Sequence, residues 1–134
     1  MTGGRALAAY DALDVLSMTP PQRVVFLYTQ LVSSLRRAQR CLGTGDVETR
    51  SDCLCRAQAI VQELLVALDR DSSGELGDRL AALYGYFIAE IIAVDVHQDA
   101  TRLTSLIALV LPLLDAWERA ARQVAAPLPE AASA

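Results

Sequence analysis

The sequence predicts an all-α protein, folded as an antiparallel four-helix bundle. Four segments carry apolar residues at alternating spacings of three and four, which is the pattern of a helix with one buried face. No stretch alternates apolar and polar residues between hairpin turns, so strands are not expected. The chain has 134 residues, 53% of them hydrophobic, which suits one domain with a packed core. Short connections between long helices place successive helices antiparallel.

We expect the bundle to occupy residues 19–124. Residues 1–18 form an N-terminal segment that can act as a mobile cap, and the pattern of a short helix from Arg5 to Leu16 is the weakest of the helical signals. The tail, residues 125–134, is rich in Ala and Pro and is expected to be flexible.

The first helix is predicted to begin after Thr19. Thr19 and Gln22 have the spacing of a capping box, and Pro20 suits the first helical position. Gly43 and Gly45 are expected to end the helix. Its core positions are Val24, Tyr28, Leu31, Leu35, Ala38 and Leu42.

The second helix has two suitable caps, Asp46 and Ser51, so its start is left open. A polar turn from Asp69 to Gly74 is expected to follow it. The predicted core positions are Leu54, Ala57, Val61, Leu64 and Leu68.

The third helix is predicted to begin at a second capping box, formed by Ser72 and Glu75. Its apolar face is wider than contact with one neighbouring helix requires, because it also includes Tyr84, Ile88 and Ile92. The helix therefore has apolar surface for two neighbours. Its predicted core positions are Leu76, Leu80, Leu83, Phe87, Ile91 and Val94.

The fourth helix is predicted to be capped by Asp99. Pro112 lies inside it and removes one backbone hydrogen bond, so we expect a kink without a break. Its predicted core positions are Leu103, Leu106, Val110, Leu113, Trp117, Ala121 and Val124.

Charge and hydropathy exclude several classes of partner. The net charge is −4, and acidic and basic residues are interspersed, so we expect no basic patch and no nucleic-acid partner. Asp11 and Asp14 interrupt the only apolar stretch near the N-terminus, which argues against a cleaved signal. The run from Leu106 to Leu114 is far shorter than the ~20 residues of a membrane span. A cytoplasmic protein without membrane insertion is expected.

Side chains that could carry catalysis are sparse. The single histidine, His97, lies at a predicted helix end, where a solvated cation is favoured over a metal ligand. Cys41, Cys53 and Cys55 lack the spacing of a zinc site and are expected to be free thiols. Glu90 fits a solvated or ion-paired edge position better than a buried functional carboxylate. We therefore expect no catalytic residue, no metal and no cofactor.

One set of residues resembles the FliS family of flagellar export chaperones over residues 10–122. The resemblance rests on the order and spacing of Tyr10, Thr19-Pro20, Leu27-Tyr28, Leu83-Tyr84-Gly85-Tyr86 and Trp117. It implies a helical bundle, without enzymatic activity, that binds the C-terminal segment of flagellin in the cytoplasm. Such a chaperone prevents premature polymerisation and supports type III flagellar secretion. Gly85 and Pro112 depart from the regular helices that the resemblance implies.

The candidate partner-binding residues come from this resemblance and from apolar residues that lie outside the predicted core positions of the helices. Tyr84 and Tyr86 are two apart on one helix, so they cannot both face one core. A core role is favoured for the Tyr28 ring and for Trp117. Tyr10 either covers the binding surface or only anchors the N-terminus. The candidates are Tyr10, Leu13, Leu16, Leu27, Tyr28, Leu83, Tyr84, Tyr86, Ile88 and Ile92.

Alternatives to the flagellin chaperone stay open at this point. A helical adaptor for a different protein partner fits the same pattern, and a small helical enzyme that holds an anion with Arg is the least favoured. The chain has more apolar residues than the core of a four-helix bundle needs. A binding groove and the use of Ala as a helix former explain this excess equally well. Further expected partners are the export apparatus or a co-chaperone, and a second copy of the chain when no client is bound.

Overall fold

The computed structural model describes the backbone of residues 17–71 and 74–125, and within them the side chains of residues 17–68 and 74–123. These residues form four long helices: α1 (Pro20–Thr44), α2 (Val47–Asp71), α3 (Gly74–His97) and α4 (Ala100–Ala125). The predicted all-α bundle is confirmed. The N-terminal helical segment and the tail after Ala125 lie outside the described residues.

The helices pack as an antiparallel ring. α1 packs against α2 and α4, and α3 packs against α2 and much less closely against α4. Consequently α1 and α3 are diagonal to each other, and α3 is the helix with the fewest neighbours along its flanks.

The start of α1 matches the prediction. The Gln22 N–H donates to Thr19 Oγ1 over 3.3 Å, and the Thr19 N–H donates to Gln22 Oε1 over 2.9 Å, which completes the capping box. At the other end, Gly45 adopts a left-handed conformation with φ 77°. The prediction that Gly43 also ends the helix is wrong: the helix continues through Gly43 to Thr44, and only Gly45 meets the left-handed requirement of the cap.

Of the two residues that could cap α2, Asp46 and Ser51, the structure shows that Asp46 is the cap. The Thr49 N–H donates to Asp46 Oδ1 over 3.1 Å, and Ser51 lies inside the helix. The polar turn after α2 is shorter than predicted, because the helix runs on to Asp71. α3 begins at Gly74, whereas Ser72 of the predicted capping box lies outside the described residues.

Asp99 caps α4 as predicted, because the Arg102 N–H donates to Asp99 Oδ1 over 3.0 Å. The helix is continuous through Pro112, so the prediction that this residue does not break it is confirmed. Pro112 has no N–H to donate to the carbonyl of Ala108, and both residues are exposed, which leaves that carbonyl accessible to water.

Most predicted core positions are buried, including all five of α2. Among the predicted core positions whose side chains the structure describes, one is exposed: Leu76, at 64%. It lies in the first turn of α3, at the end of the helix pair that packs least closely, so no neighbour covers it. Leu113 and Trp117 are half-buried against the core.

Candidate partner-binding surface

Two of the candidate tyrosines meet in the middle of the bundle. Tyr28 of α1 is 0% exposed and Tyr84 of α3 is 2% exposed, and the Tyr28 hydroxyl donates to the Tyr84 hydroxyl over 3.0 Å. Their rings meet edge to face with centroids 6.3 Å apart, and the Trp117 ring lies 6.5 Å from Tyr28. Burial raises the pKa of both hydroxyls above the ordinary value of a tyrosine.

This burial corrects the list of candidates for partner contact. The rings of Tyr28 and Tyr84 join the diagonal helices α1 and α3 and present almost no surface. We therefore assign both to the core and leave them out of the docking surface. Tyr86 is 47% exposed on another side of α3, so the prediction that Tyr84 and Tyr86 cannot share one core is confirmed.

The exposed large hydrophobic residues of the described chain are concentrated on and beside α3. Four of the seven belong to α3, two to α2 and one to α4, and α1 contributes none. Exposed apolar residues that lie together are typical of surfaces that bind another molecule. The seven residues are Val47, Val66, Leu76, Tyr86, Ile92, Val96 and Leu109.

The solvent side of α3 is uncharged over four turns. Every exposed position between Leu80 and His97 is apolar or glycine, and we call this set the α3 face. The α3 face includes Gly85, where an added Cβ would meet nothing within 4 Å, so the fold itself does not require glycine there. The α3 face consists of Ala81, Ala82, Gly85, Tyr86, Ala89, Ile92 and Val96.

The carboxylates of this part of α3 are turned to the neighbouring helices. Glu90 accepts from Arg102 Nη1 of α4 over 3.0 Å, as the edge ion-pair interpretation predicted. Asp95 accepts from Arg50 Nε over 3.2 Å and from Ser51 Oγ over 3.1 Å, both on α2. These contacts hold α3 in the bundle at both flanks and keep its charges off the α3 face.

Two apolar depressions border α3. A small groove of about 80 Å³ lies between α2 and α3 and includes Cys55, Ile92 and Val96. A second pocket, of about 150 Å³, opens where α1 begins and brings all four helices together. Its lining is Pro20, Pro21, Val24, Leu64, Ala67, Leu68, Tyr84 and Trp117.

The remaining candidates fall into two groups. Leu27, Leu83 and Ile88 are half-buried against the core, so each has one side toward solvent. Tyr10, Leu13 and Leu16 lie outside the described residues.

Sequence reasoning missed several residues of this surface. Val96 continues the spacing of Ile92 by one turn, and this signal was present in the sequence. Cys55 had no such signal, because only helix packing shows that it shares a groove with Ile92 and Val96 of α3.

Nothing in the described part of the chain is arranged to hold a metal ion. His97 is exposed at the end of α3, where the helix dipole favours a cation. Cys41 and Cys53 are buried thiols, and Cys55 is an exposed one.

Comparison with known proteins identifies the family. The sequence model of the FliS family, described as flagellar protein FliS, matches residues 3–124. The chain belongs to the FliS family. It is 29% identical over 112 residues to the flagellar secretion chaperone FliS of Bacillus subtilis, with 84% of this chain and 83% of that protein covered. The FliS of Salmonella typhimurium is 30% identical over 106 residues, with 78% of each chain covered.

The fold of this FliS-family chain is also that of a solved structure. A crystal structure of a bacterial flagellar chaperone superimposes with a TM-score of 0.72 at 21% sequence identity, covering 89% of this chain and 97% of that one. The observed bundle is therefore the fold expected from the resemblance.

By length and composition alone, α3 and α4 would each be apolar enough to cross a membrane. Core helices of globular proteins meet the same criterion, so it decides little by itself. Only 28% of the apolar window of α3 and 22% of that of α4 is buried in the bundle. The large apolar residues of both helices are mostly buried in the core or packed against it, and the exposed ones are Leu76, Tyr86, Ile92 and Val96 of α3 and Leu109 of α4.

Proposed function

We propose that this chain is a cytoplasmic export chaperone that binds the C-terminal segment of flagellin, prevents its premature polymerisation and supports its type III flagellar secretion. The observation that carries the proposal is the concentration of exposed apolar residues on and beside α3 in a chain whose relatives are named flagellar secretion chaperones. The chain acts by binding, and no step of catalysis is proposed.

An amphipathic helix is the occupant that fits this surface best. The α3 face is long and uncharged, so a partner helix can lay its apolar side along it. Such a segment is unstable as an isolated helix in water and gains stability by packing. Folding of the segment on the chaperone costs ordering entropy, which favours release at the export apparatus.

Gly85 supports a closely packed partner. Glycine inside a helix costs about 1 kcal/mol relative to alanine, and no neighbouring atom in the described chain explains that cost. A missing side chain within the α3 face lets the backbone of a partner helix approach closely. Tyr86 and Ile92, which both follow Gly85 along the helix, supply the large apolar contacts.

Calorimetry with the C-terminal segment of the flagellin from the same organism tests the proposal. We expect one-to-one binding at micromolar or tighter affinity, which corresponds to about 8 kcal/mol or more, with a negative heat-capacity change. Ile92→Asp places a charge in the buried interface and is expected to weaken binding by about tenfold or more. The matched control is Ser33→Asp, which adds the same charge at an exposed position of α1 and leaves binding unchanged.

Two results would contradict this assignment. The first is the absence of measurable heat at high concentrations of both components. The second is an equal loss of affinity in both variants, which would show that charge alone matters. A parallel measurement with phospholipid vesicles tests whether the α3 face binds a membrane instead of flagellin. The chaperone hypothesis predicts that the folded chain does not bind the vesicles.

We also propose that residues 1–18 cover part of the binding surface until the client arrives, with Tyr10, Leu13 and Leu16 as the apolar contacts. The support is the resemblance and the apolar spacing of these residues. A chain that begins at Ser17 is expected to bind the flagellin segment more tightly than the full chain, because no covering segment has to be displaced. Equal affinities would favour a terminal segment that only anchors the N-terminus.

Self-association is the remaining partner proposal. An uncovered α3 face can pair with that of a second copy, so we expect dimers in the absence of client that dissociate when the flagellin segment is added. Sedimentation with and without the segment measures this directly.

A further inference from the structure

The outer side of α1 is basic. α1 contains four arginines and no acidic residue. Arg36, Arg37 and Arg40 lie within two turns, and Arg56 of α2 lines a groove of about 310 Å³ together with Arg37. We call these four residues the arginine face. The expectation that the chain has no basic patch is wrong here. In the sequence the cluster consists of Arg36, Arg37 and Arg40 only, and the packing of α2 beside α1 adds Arg56 to it.

The arginine face is not neutralised within the described part of the chain. The ion pairs there engage Arg50, Arg79, Arg102 and Arg119, and no carboxylate lies within ion-pair distance of the arginine face. Arg79 and Arg119 are each paired with a carboxylate four residues earlier, Glu75 and Asp115. Arg56 has Asp52 at the same spacing without an ion pair, and Arg36, Arg37 and Arg40 have no acidic residue on their helix, so their positive charge is available to a ligand.

Arg37 and Arg56 line this groove together with Cys53. Burial raises the pKa of the Cys53 thiol, and the nearby guanidiniums of Arg37 and Arg40 oppose that rise. Asp52 lines the same groove, and Asp46 interacts electrostatically with Arg37, so both carboxylates oppose an anionic ligand there.

We propose that the arginine face binds an acidic peptide segment of a second protein. Guanidinium groups match carboxylates in paired hydrogen bonds, and Arg36 and Arg40 are one turn, or about 6 Å, apart along the helix. Carboxylates at that spacing on a partner helix face both. Four guanidinium groups can make only a few phosphate contacts, whereas a short peptide needs only one or two carboxylate pairs, so a peptide carboxylate is the favoured ligand.

This site is separate from the proposed client surface. α1 is diagonal to α3, so the arginine face and the α3 face point away from each other. An acidic partner and a client can therefore be bound at once. The inference does not depend on the identity of the client, because it rests on α1 and α2 alone.

Fluorescence anisotropy with a labelled peptide that repeats Glu-Ala-Ala-Ala tests the proposal on the full chain. We expect saturable binding at low salt that weakens as salt is raised. The triple variant Arg36→Gln, Arg37→Gln and Arg40→Gln is expected to weaken it by about tenfold. The matched control replaces Arg79, Arg119 and Arg122 by Gln, which removes the same charge from exposed positions elsewhere and retains binding. Asp52→Asn is expected to strengthen it.

Several outcomes would overturn the proposal. These are the absence of saturable binding, an equal loss in the control variant, and equal binding of a peptide with Gln in place of Glu. Tighter, arginine-dependent binding of oligothymidylate or of phosphatidylglycerol vesicles would also refute it, because it would assign the face to phosphate. Circular dichroism of each variant confirms that the substitutions at these surface positions leave the helices intact.

Discussion

The hydrogen bond between the two buried tyrosines leads to a prediction about stability. Phenylalanine at either position keeps the ring and removes the hydroxyl. In Tyr28→Phe the Tyr84 hydroxyl loses its donor, and in Tyr84→Phe the Tyr28 hydroxyl loses its acceptor. Both side chains are at most 2% exposed, so water does not readily replace the lost partner.

The magnitude follows from this burial. A buried polar group left without its partner costs about 1–3 kcal/mol, whereas removal of both partners by groups of the same shape is nearly neutral. We therefore expect each single variant to lower the free energy of unfolding by about 1–3 kcal/mol. The double variant is expected to be more stable than the sum of the single effects predicts, by about the same amount.

Urea unfolding followed by circular dichroism measures all four chains of this cycle, with Tyr86→Phe as an exposed control that is expected to change little. Additive losses, or a double variant less stable than either single one, would refute the reasoning. Alkaline pH supplies a second readout. Because burial raises the pKa of Tyr28 and Tyr84, their contribution is complete below the ordinary tyrosine value of 10.0 and is lost as the pH rises above it. The double variant should lose less stability over that range.

Three further predictions concern the helix ends and the α3 face. Thr19→Ala removes the cap of α1 and is expected to cost about 1 kcal/mol in urea unfolding, whereas Thr19→Ser should retain most of it. Gly85→Ala is expected to stabilise the free chain by up to about 1 kcal/mol, because the added methyl meets no atom, yet to weaken client binding in calorimetry; tighter binding would refute close approach of the client. The backbone N–H of Thr49 lowers the pKa of Asp46 and that of Arg102 lowers the pKa of Asp99, so their contribution is present above the ordinary value of 3.8 and is lost as the pH falls. Acid unfolding of a chain with Asn at both positions should show a weaker pH dependence.

Much of the fold was predictable because helix signals are local. The capping box at Thr19 and the cap at Asp99 depend on residues within three positions of each other, and both were found where the sequence placed them. Leu76 was misjudged because periodicity reports only which side of a helix a residue occupies. It does not report whether a neighbouring helix extends far enough to cover that side.

The candidate site was less predictable for the same reason. Tyr86 and Ile92 were named from the surplus of apolar residues on the third helix, and both are exposed. Tyr28 and Tyr84 were named with them, although they meet each other across the bundle. The sequence alone does not distinguish a tyrosine that faces the diagonal helix from one that faces solvent, because both are adjacent in sequence to predicted core positions.

The sequence by itself determined four antiparallel helices, the caps at Thr19 and Asp99, and the excess of apolar residues on the third helix, since each depends on neighbours a few positions apart. Only the tertiary structure decided which helix lacks close neighbours. The looser packing of α3 against α4 and the diagonal placement of α1 leave the α3 face uncovered and the arginine face on the other side. Both surfaces combine residues from the packing of separate helices, and that packing depends on distances which periodicity does not encode.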